Sequence, residues 1–529
     1  MRLIRQQPAF SAPAWSRPSR REVLKWGALT GAAVGLVGCG TDDEPGAQGQ
    51  GGSGTPKPGG TLTIAQPAEA NPAQALNQNI ANQSWRRAVY DCLVDYDPER
   101  REVVEGLATS WETSADGRQV VLTLREGVSW HSGRPFGADD VEFTIDTAIN
   151  STPSFQLAWV FRNLQGIDMS GTTVTLDFSE PVTSIYDALS LMTVIDRESH
   201  DGFVDGTAHV GTGPFVWGSF APGTGITLRR NDNYWRGGRP YLDGLEIRFI
   251  TRSEALVSAV RSDQVDMGLN LLPLDRRTVE GDERFDVVAY NTYGAALYVG
   301  ANVEVEPLNR KEIRQAIHYA IDRQRINDEL YQGQGKVSAA PWSPTSSGYD
   351  EKWAQAYSRD LDKAKSLVAA AGPIGEVIVV EAGAAQSRAA EIVAFNLSEI
   401  GLETDIQILE PALITERFQS RSFAGLYLAF HGWNTLSPIN VVYSAAPMRV
   451  ENNLFRFASD EYAHLATELA TADPAGAPAA IEALTELILD EAFCLDVVHT
   501  SNNVVSQQNV HGWSYNVWDE MLFADAWKS

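Results

Sequence analysis

Cysteine is scarce in this chain: three in 529 residues, at positions 39, 92 and 494. That number excludes a disulfide framework. Neither Cys-x-x-Cys nor His-Glu-x-x-His occurs, and the histidines at 131, 200, 209, 318, 431, 464, 499 and 511 never pair at metal-ligand spacing on one helix. No bare-metal site is therefore expected. A Gly-x-Ser-x-Gly elbow is missing too. Gly211-Thr212-Gly213 lacks the third glycine and following helix of a nucleotide loop and reads as a tight entry into a strand. With no nucleophile–base set, the sequence assigns no catalytic residue and no cofactor. Positive charge is also short, 42 Lys and Arg against 68 Asp and Glu, a net charge of −26. Phosphate contacts need clustered basic side chains, so nucleic acid and anionic membrane are excluded as charge-driven partners. Finally, there is no long apolar run. The one from Trp26 to Gly38 has 13 residues, whereas a spanning helix needs roughly 20.

That short run has its own meaning. "SRREVLKWGALTGAAVGLVGCG" (Ser19 to Gly40) places a charged stretch before an apolar segment, the pattern of an export signal. Arg20-Arg21 resembles a twin-arginine signal, with Val23 where Phe is usual, and such signals act as addresses rather than anchors. Leu36-Val37-Gly38-Cys39 resembles a bacterial lipobox, in which Cys39 would be lipidated and become the first mature residue. Residues 40–58, rich in Gly, Pro and Gln, then serve as a flexible tether. Residues 1–39 hold six of the basic residues and one of the acidic, so the remainder has 36 against 67 and a net charge of −31. Cys92 and Cys494 sit in apolar stretches and read as buried thiols. Export would permit a disulfide between them, and the sequence leaves that open.

Along the rest of the chain, "TLTIAQP" reads as a strand and "ANQSWRRAVYDCLVDYD" as a helix on the spacing of Trp85, Val89 and Cys92. A hairpin follows, with Asp116-Gly117 at its turn, and then the amphipathic helix "GADDVEFTIDTAIN" with Val141, Ile145 and Ala148 on one face. Strands dominate from Gly211 to Gly268. In the second half, "NRKEIRQAIHYAIDRQRI" offers Asn309 as N-cap with Glu312 three residues on and a stripe of Ile313, Ala316, Ile317, Ala320 and Ile321. "DLDKAKSLVAAAGP" starts at Asp360 and stops at Gly372-Pro373. "EVIVVEA", "SRAAEIVAFNLSEIG" and "LETDIQIL" make a β-α-β unit, which favours a parallel sheet.

Leu107 to Ile145, "LATSWETSADGRQVVLTLREGVSWHSGRPFGADDVEFTI", resembles the signature of the family 5 extracellular solute-binding proteins, the peptide- and nickel-binding receptors of ATP-driven importers. "VGTGPFVW", "RNDNYWRGGRPYLDGLEIRFI", "NRKEIRQAIHYAIDR" and "DLDKAKSLVAAAG" continue the resemblance in order across nearly the whole mature chain. It implies an α/β, two-lobed periplasmic-binding-protein-like fold of the large type II class, closing on its ligand by a hinge. The first lobe would comprise 59–290 and 495–529, with an extra subdomain at about 96–193, and the second lobe 291–494. His131 and Arg134, shared by members with different ligands, would be structural.

The resemblance also implies site residues. The Gly-Trp of "YLAFHGWNTLSPINVVYSAAP" (Tyr427 to Pro447) would lie at the cleft, with Trp433 as a stacking surface and Asn434 as a hydrogen-bonder. Peptide-binding members carry an aspartate three residues after this Trp for the ligand's free amine; here the position is Leu436. A buried ammonium without a carboxylate is costly, so the departure argues against free-amine recognition. Tyr298 and Asn302, at the entry to the second lobe, and Trp342 and Trp159, on apparent loops, complete the candidates. The expected protein is a monomeric, non-enzymatic receptor, lipid-anchored on the outer face of the bacterial cytoplasmic membrane. It would deliver a peptide or peptide-like solute to an ABC permease and its ATPase. The alternatives are a non-peptide solute (metallophore, opine-like compound or oligosaccharide) and a transporter-independent sensor.

Overall fold

The structure, a computed structural model, describes residues 54–151, 155–432, 437–473 and 475–529. Cys39, Arg20 and Arg21 lie outside the described residues, as do Trp433, Asn434 and Leu436.

Two large sheets organise the protein. The first has seven strands in the order Phe285–Ala289, Asn503–Gln507, Met267–Leu269, Thr61–Gln66, Gly244–Phe249, Gly225–Arg230, Phe215–Ala221. The second has six, Lys336–Val337, Cys494–Thr500, Ala295–Ala301, Leu426–His431, Ile378–Gly383, Thr404–Leu409. In the second sheet the strand Ile378–Gly383 runs parallel to Thr404–Leu409, joined by the helix Ser387–Ser398, as the β-α-β pattern requires. Both faces of this sheet are covered: Leu297 and Val299 enter one core, Tyr298 the other. A strand buried on both faces reads as a continuous apolar run rather than an alternating one.

The chain crosses between the sheets twice, from Ala289 to Ala295 and from Thr500 to Asn503. The second crossing falls later than residue 494, because Cys494–Thr500 pairs with Ala295–Ala301 and stays in the second lobe. Only residues beyond about 501 return to the first lobe.

Inside the expected 96–193 insertion lies a separate four-stranded sheet, Ala108–Thr113, Gln119–Leu124, Thr173–Phe178, Leu164–Ser170. Its hairpin turns at Gly117, whose φ of +70° is left-handed backbone that a side chain would strain. The helix Ala138–Asn150 packs Val141, Ile145 and Ala148 into the first lobe's core, and the Asp140 carboxylate accepts from Gly137 N at 3.1 Å to cap it.

Two local expectations fail, each for a tertiary reason. The helix expected over 81–97 is only Arg86–Val89, followed by the strand Val94–Tyr96. Asp91 is drawn out of helical geometry by Thr212 Oγ1 and Trp235 Nε1, each donating to its Oδ2 at 2.9 Å. The expected capping box at Asn309 does not form either, because Asn309 Nδ2 donates to Glu306 at 2.7 Å and the helix starts at Lys311. By contrast, Asp360 caps Leu361–Ala371 by accepting from Lys363 N at 2.9 Å. Cys92 and Cys494 are both buried, free thiols.

Candidate functional site

Two stretches of the first lobe are braced against each other beside the crossing strands. Met521 N donates to Gln83 O at 2.9 Å, and Gln78 Nε2 donates to Trp518 O at 2.6 Å. Arg86 and Glu520 form an ion pair between side chains that are essentially fully buried. Arg86 Nη1 also donates to Leu191 O at 3.1 Å, and Asn516 Nδ2 to Glu520 at 3.2 Å. These long-range bonds fix segment 78–86, whose regular structure is limited to the single 3-10 turn Ile80–Asn82 and the start of the helix at Arg86.

Opposite stands the end of the second sheet, carrying Phe430, Gly432, Gly294 and Ala295. Asp496 links its strand to that of His431, whose Nε2 is hydrogen-bonded to the carboxylate at 3.0 Å; His499 Nε2 lies 3.3 Å from the carboxylate without a hydrogen bond to it. Burial lowers the pKa of His499, opposed by Asp496. Between the two walls lies a cavity of about 410 Å³, lined by Gln78, Asn79, Ile80, Gln83, Gln156, Trp518 and Asp519 from one lobe and Gly294, Ala295, Phe430 and Gly432 from the other, with Asn502 on the crossing. Ile80 and Phe430, both exposed, supply apolar walls from opposite lobes. Asp519 accepts from Asn502 Nδ2 at 2.8 Å and from Thr292 Oγ1, so its charge is engaged. A cleft with apolar walls and a few polar groups is suited to holding a small molecule.

The lobes also touch beside the cavity. Trp159 stacks on Tyr443, ring centroids 4.6 Å apart and planes 16° from parallel. Ser444 Oγ donates to Gln156 O at 2.8 Å, and Asn440 Nδ2 to Asp187 at 2.6 Å.

The sequence candidates divide accordingly. Trp433 and Asn434, outside the described residues, follow directly on the cavity-lining Gly432. Trp159 lies at the contact between lobes, its indole N–H without a partner among the described residues. Tyr298 is buried on Ala295–Ala301 with its ring centroid 5.6 Å from that of His431, and its hydroxyl has no partner among the described residues. Trp342 and Asn302 are core residues instead. Trp342 is fully buried and donates to Thr485 Oγ1 at 2.8 Å. Asn302 spends its amide on Phe423 O at 2.7 Å and Glu304 N at 3.1 Å. Arg134 reaches Asp140 at 2.6 Å and pairs with Asp196, while His131 bridges Gly211 N at 3.2 Å and Gly213 O at 3.0 Å. That bridge orders the glycine turn, where a Cβ on Gly211 would fall 1.8 Å from Val89 O. Both side chains are structural. Sequence reasoning missed Gln83 and Phe430. Phe430 could have been found by extending the Gly432-Trp433 loop backwards, whereas "ANQSW" carries no mark of a site.

Comparison with known proteins agrees with this geometry. The family model for bacterial extracellular solute-binding proteins, family 5 middle, matches residues 102–449. Heme-binding protein A of Haemophilus influenzae is 25% identical over 451 residues, 77% of this chain and 80% of the relative. Di/tripeptide-binding protein 1 of Pseudomonas aeruginosa is 26% identical over 335 residues, 58% of this chain and 62% of the relative. The solved ABC transporter substrate binding protein CtaP of Listeria monocytogenes superposes with a TM-score of 0.77 at 20% identity, covering 88% of this chain and 100% of that one. Its fold is the two-lobed fold described above. The chain belongs to the family 5 bacterial extracellular solute-binding proteins.

Proposed function

We propose that this protein is the solute-capturing component of an ABC importer, taking up a small peptide or peptide-like molecule outside the membrane and handing it to a permease. The observation that carries the proposal is the cavity of about 410 Å³ at the junction of the lobes, whose walls come from both. A ligand there touches both lobes at once, so binding favours the closed arrangement over any open one. The protein does no chemistry on its solute; closure is the signal that the permease reads. Twin arginines at 20 and 21 direct export, and a lipid on Cys39 tethers the monomer to the outer face of the cytoplasmic membrane through the linker 40–58. The named ligand class of the Pseudomonas relative supports peptides.

Leu436, where peptide receptors of this family are expected to carry an aspartate, favours a second reading, a non-peptide solute such as a metallophore, an opine-like compound or an oligosaccharide. Calorimetric titration of free and N-acetylated di- to pentapeptides, with mass spectrometry of whatever co-purifies, separates the two. Binding of peptides, weakened by roughly 2 kcal/mol or more in Trp433→Ala, supports the first. Binding of none, with a co-purifying non-peptide, replaces it by the second.

A further inference from the structure

We propose that Ile80 and Phe430 form a clamp, one jaw on each lobe, for an uncharged apolar group of the ligand such as an aliphatic or aromatic side chain. The proposal rests on the solute-binding reading above and narrows it.

A single exposed apolar residue on a protein surface needs no explanation. Two that line one cavity from opposite lobes do. Ile80 is 53% and Phe430 38% exposed, and both are cavity-lining. Phe430 belongs to the row Leu426, Leu428, Phe430 on one face of its strand. The first two members are buried in a core of the second lobe; the third passes beyond it and is braced by the Tyr331 ring, edge-on at 6.2 Å. Ile80 opens the 3-10 turn Ile80–Asn82, in which Asn79 Oδ1 accepts from Ala81 N and Asn82 Oδ1 from Asn71 N, each at 2.9 Å. Ala81 and Asn82 are buried and Ile80 is left exposed, so the isoleucine is presented from a fixed base. Preorganisation of that kind favours binding.

No other large apolar side chain is accessible among the described lining residues. Gly294, Ala295 and Gly432 give the second lobe's wall little beyond main chain, and Trp518 is 1% exposed. A Cβ on Gly432 would meet only Gly294 O, at 3.7 Å, so this wall is open rather than packed.

Charge is scarce there as well. Asp519 is the one ionisable side chain among the described lining residues; it is 5% exposed and already accepts from Asn502 and Thr292. The internal residues outside the described ones, 152–154, 433–436 and 474, include no ionisable side chain in the sequence. A charged group brought here would lose water without meeting an opposite charge, whereas an apolar group gains by leaving water. Covering such a group on two sides needs both lobes in place, so its burial favours the closed arrangement.

The test uses the whole mature protein and four N-acetylated, C-amidated dipeptides that differ in one side chain, Ala-Gly, Ala-Leu, Ala-Phe and Ala-Lys, titrated by calorimetry. The leucine and phenylalanine probes are expected to bind about tenfold tighter or better than the glycine and lysine probes. Ile80→Ala and Phe430→Ala are each expected to lose about tenfold on the phenylalanine probe and no more than about twofold on the glycine probe. Their urea midpoints should stay level, because the truncated side chains are exposed. A marked fall in midpoint, or an equal loss on every probe, would indicate a general disturbance of the walls and overturn the clamp. Equal binding of all four probes, or no loss in either variant, also overturns it and leaves the solute-binding reading standing. If no probe binds, the molecule retained through purification decides. One that carries an uncharged apolar group and is lost from both variants supports the proposal. One that is charged throughout, or that either variant keeps, overturns it, and no retained molecule overturns both readings.

Discussion

Asn440 Nδ2 donates a hydrogen bond to Asp187 Oδ2 at 2.6 Å, and the two residues belong to different lobes. Asp187 sits on the helix Ile185–Leu191 of the inserted subdomain, Asn440 on Pro438–Ser444 of the second lobe. Tyr96 Oη donates to the other carboxylate oxygen at 2.8 Å. Burial raises the pKa of Asp187 from 3.8 to about 6, against the lowering effect of these two hydrogen bonds. Opening the cleft parts Asp187 from Asn440 and returns the carboxyl towards its ordinary range. The closed arrangement therefore binds the proton more tightly. Its advantage is full below pH 3.8 and is lost as pH rises through about 6. The difference is on the order of 2–3 kcal/mol. Small-angle scattering of the ligand-free protein between pH 4 and 7 should show compaction on the acid side, absent in Asp187→Asn. An unchanged profile in that variant would sink the idea.

The stack of Trp159 on Tyr443 is a second link between lobes, with the Arg162 guanidinium 5.5 Å from the Tyr443 ring centroid. A double-mutant cycle of Trp159→Ala and Tyr443→Ala, read by urea unfolding, should give a coupling of about 0.5–1.5 kcal/mol. A coupling indistinguishable from zero would mean that the rings are merely adjacent.

Breaking the buried pair at the back of the cavity should be far more costly. Glu520→Ala leaves the Arg86 guanidinium buried and uncompensated, so a loss of about 3–5 kcal/mol in unfolding free energy is expected. Because Glu520 anchors the segment that carries Gln83, any variant protein that still folds should also bind its ligand more weakly. Full retention of stability would show that the pair is not closed in solution.

Both thiols should be inert in the native state. Burial pushes Cys92 up to about 12, opposed by Arg87, and raises Cys494 well above its usual value. A protein starting after residue 53 should release nothing to Ellman's reagent at pH 8 and two equivalents once unfolded in urea. Fast reaction without denaturant would contradict the burial; silence even after unfolding would reveal a disulfide.

Tethering and export are tested in cells. Cys39→Ala should move the protein from the membrane to the soluble fraction with its fold intact, and persistence on membranes after a carbonate wash counts against lipidation. Replacing Arg20 and Arg21 together by Lys should stop export, since the receptor reads the pair itself. Undiminished export of that variant would assign the segment to the general secretory route.

How far the sequence reaches can be seen in particular segments. The helix Leu361–Ala371 was legible because its determinants are local: Asp360 caps Lys363 three residues away, and Gly372 ends it with a φ of +87°. The strands 378–383 and 404–409 were legible for the same reason, periodicity and spacing. The helix expected over 81–97 was not, because what ends it at Val89 is a set of donors to Asp91 from Thr212 and Trp235, more than a hundred residues away. Trp342 and Trp159 looked alike as aromatic residues on loops. Thr485 puts one in the core, while Tyr443 draws the other to the contact between lobes.

By itself, then, the sequence determined the acidic character and most of the regular elements, since each depends on composition or interactions within a few residues, while its resemblance to family 5 implied the two-lobed class. Only the tertiary structure decided the site. Gln83 reaches the cavity wall because Met521, more than four hundred residues on, bonds its carbonyl, and because a second lobe stands across the space. Burial and an unmet hydrogen bond are properties of an assembled environment, and no local stretch of chain encodes them.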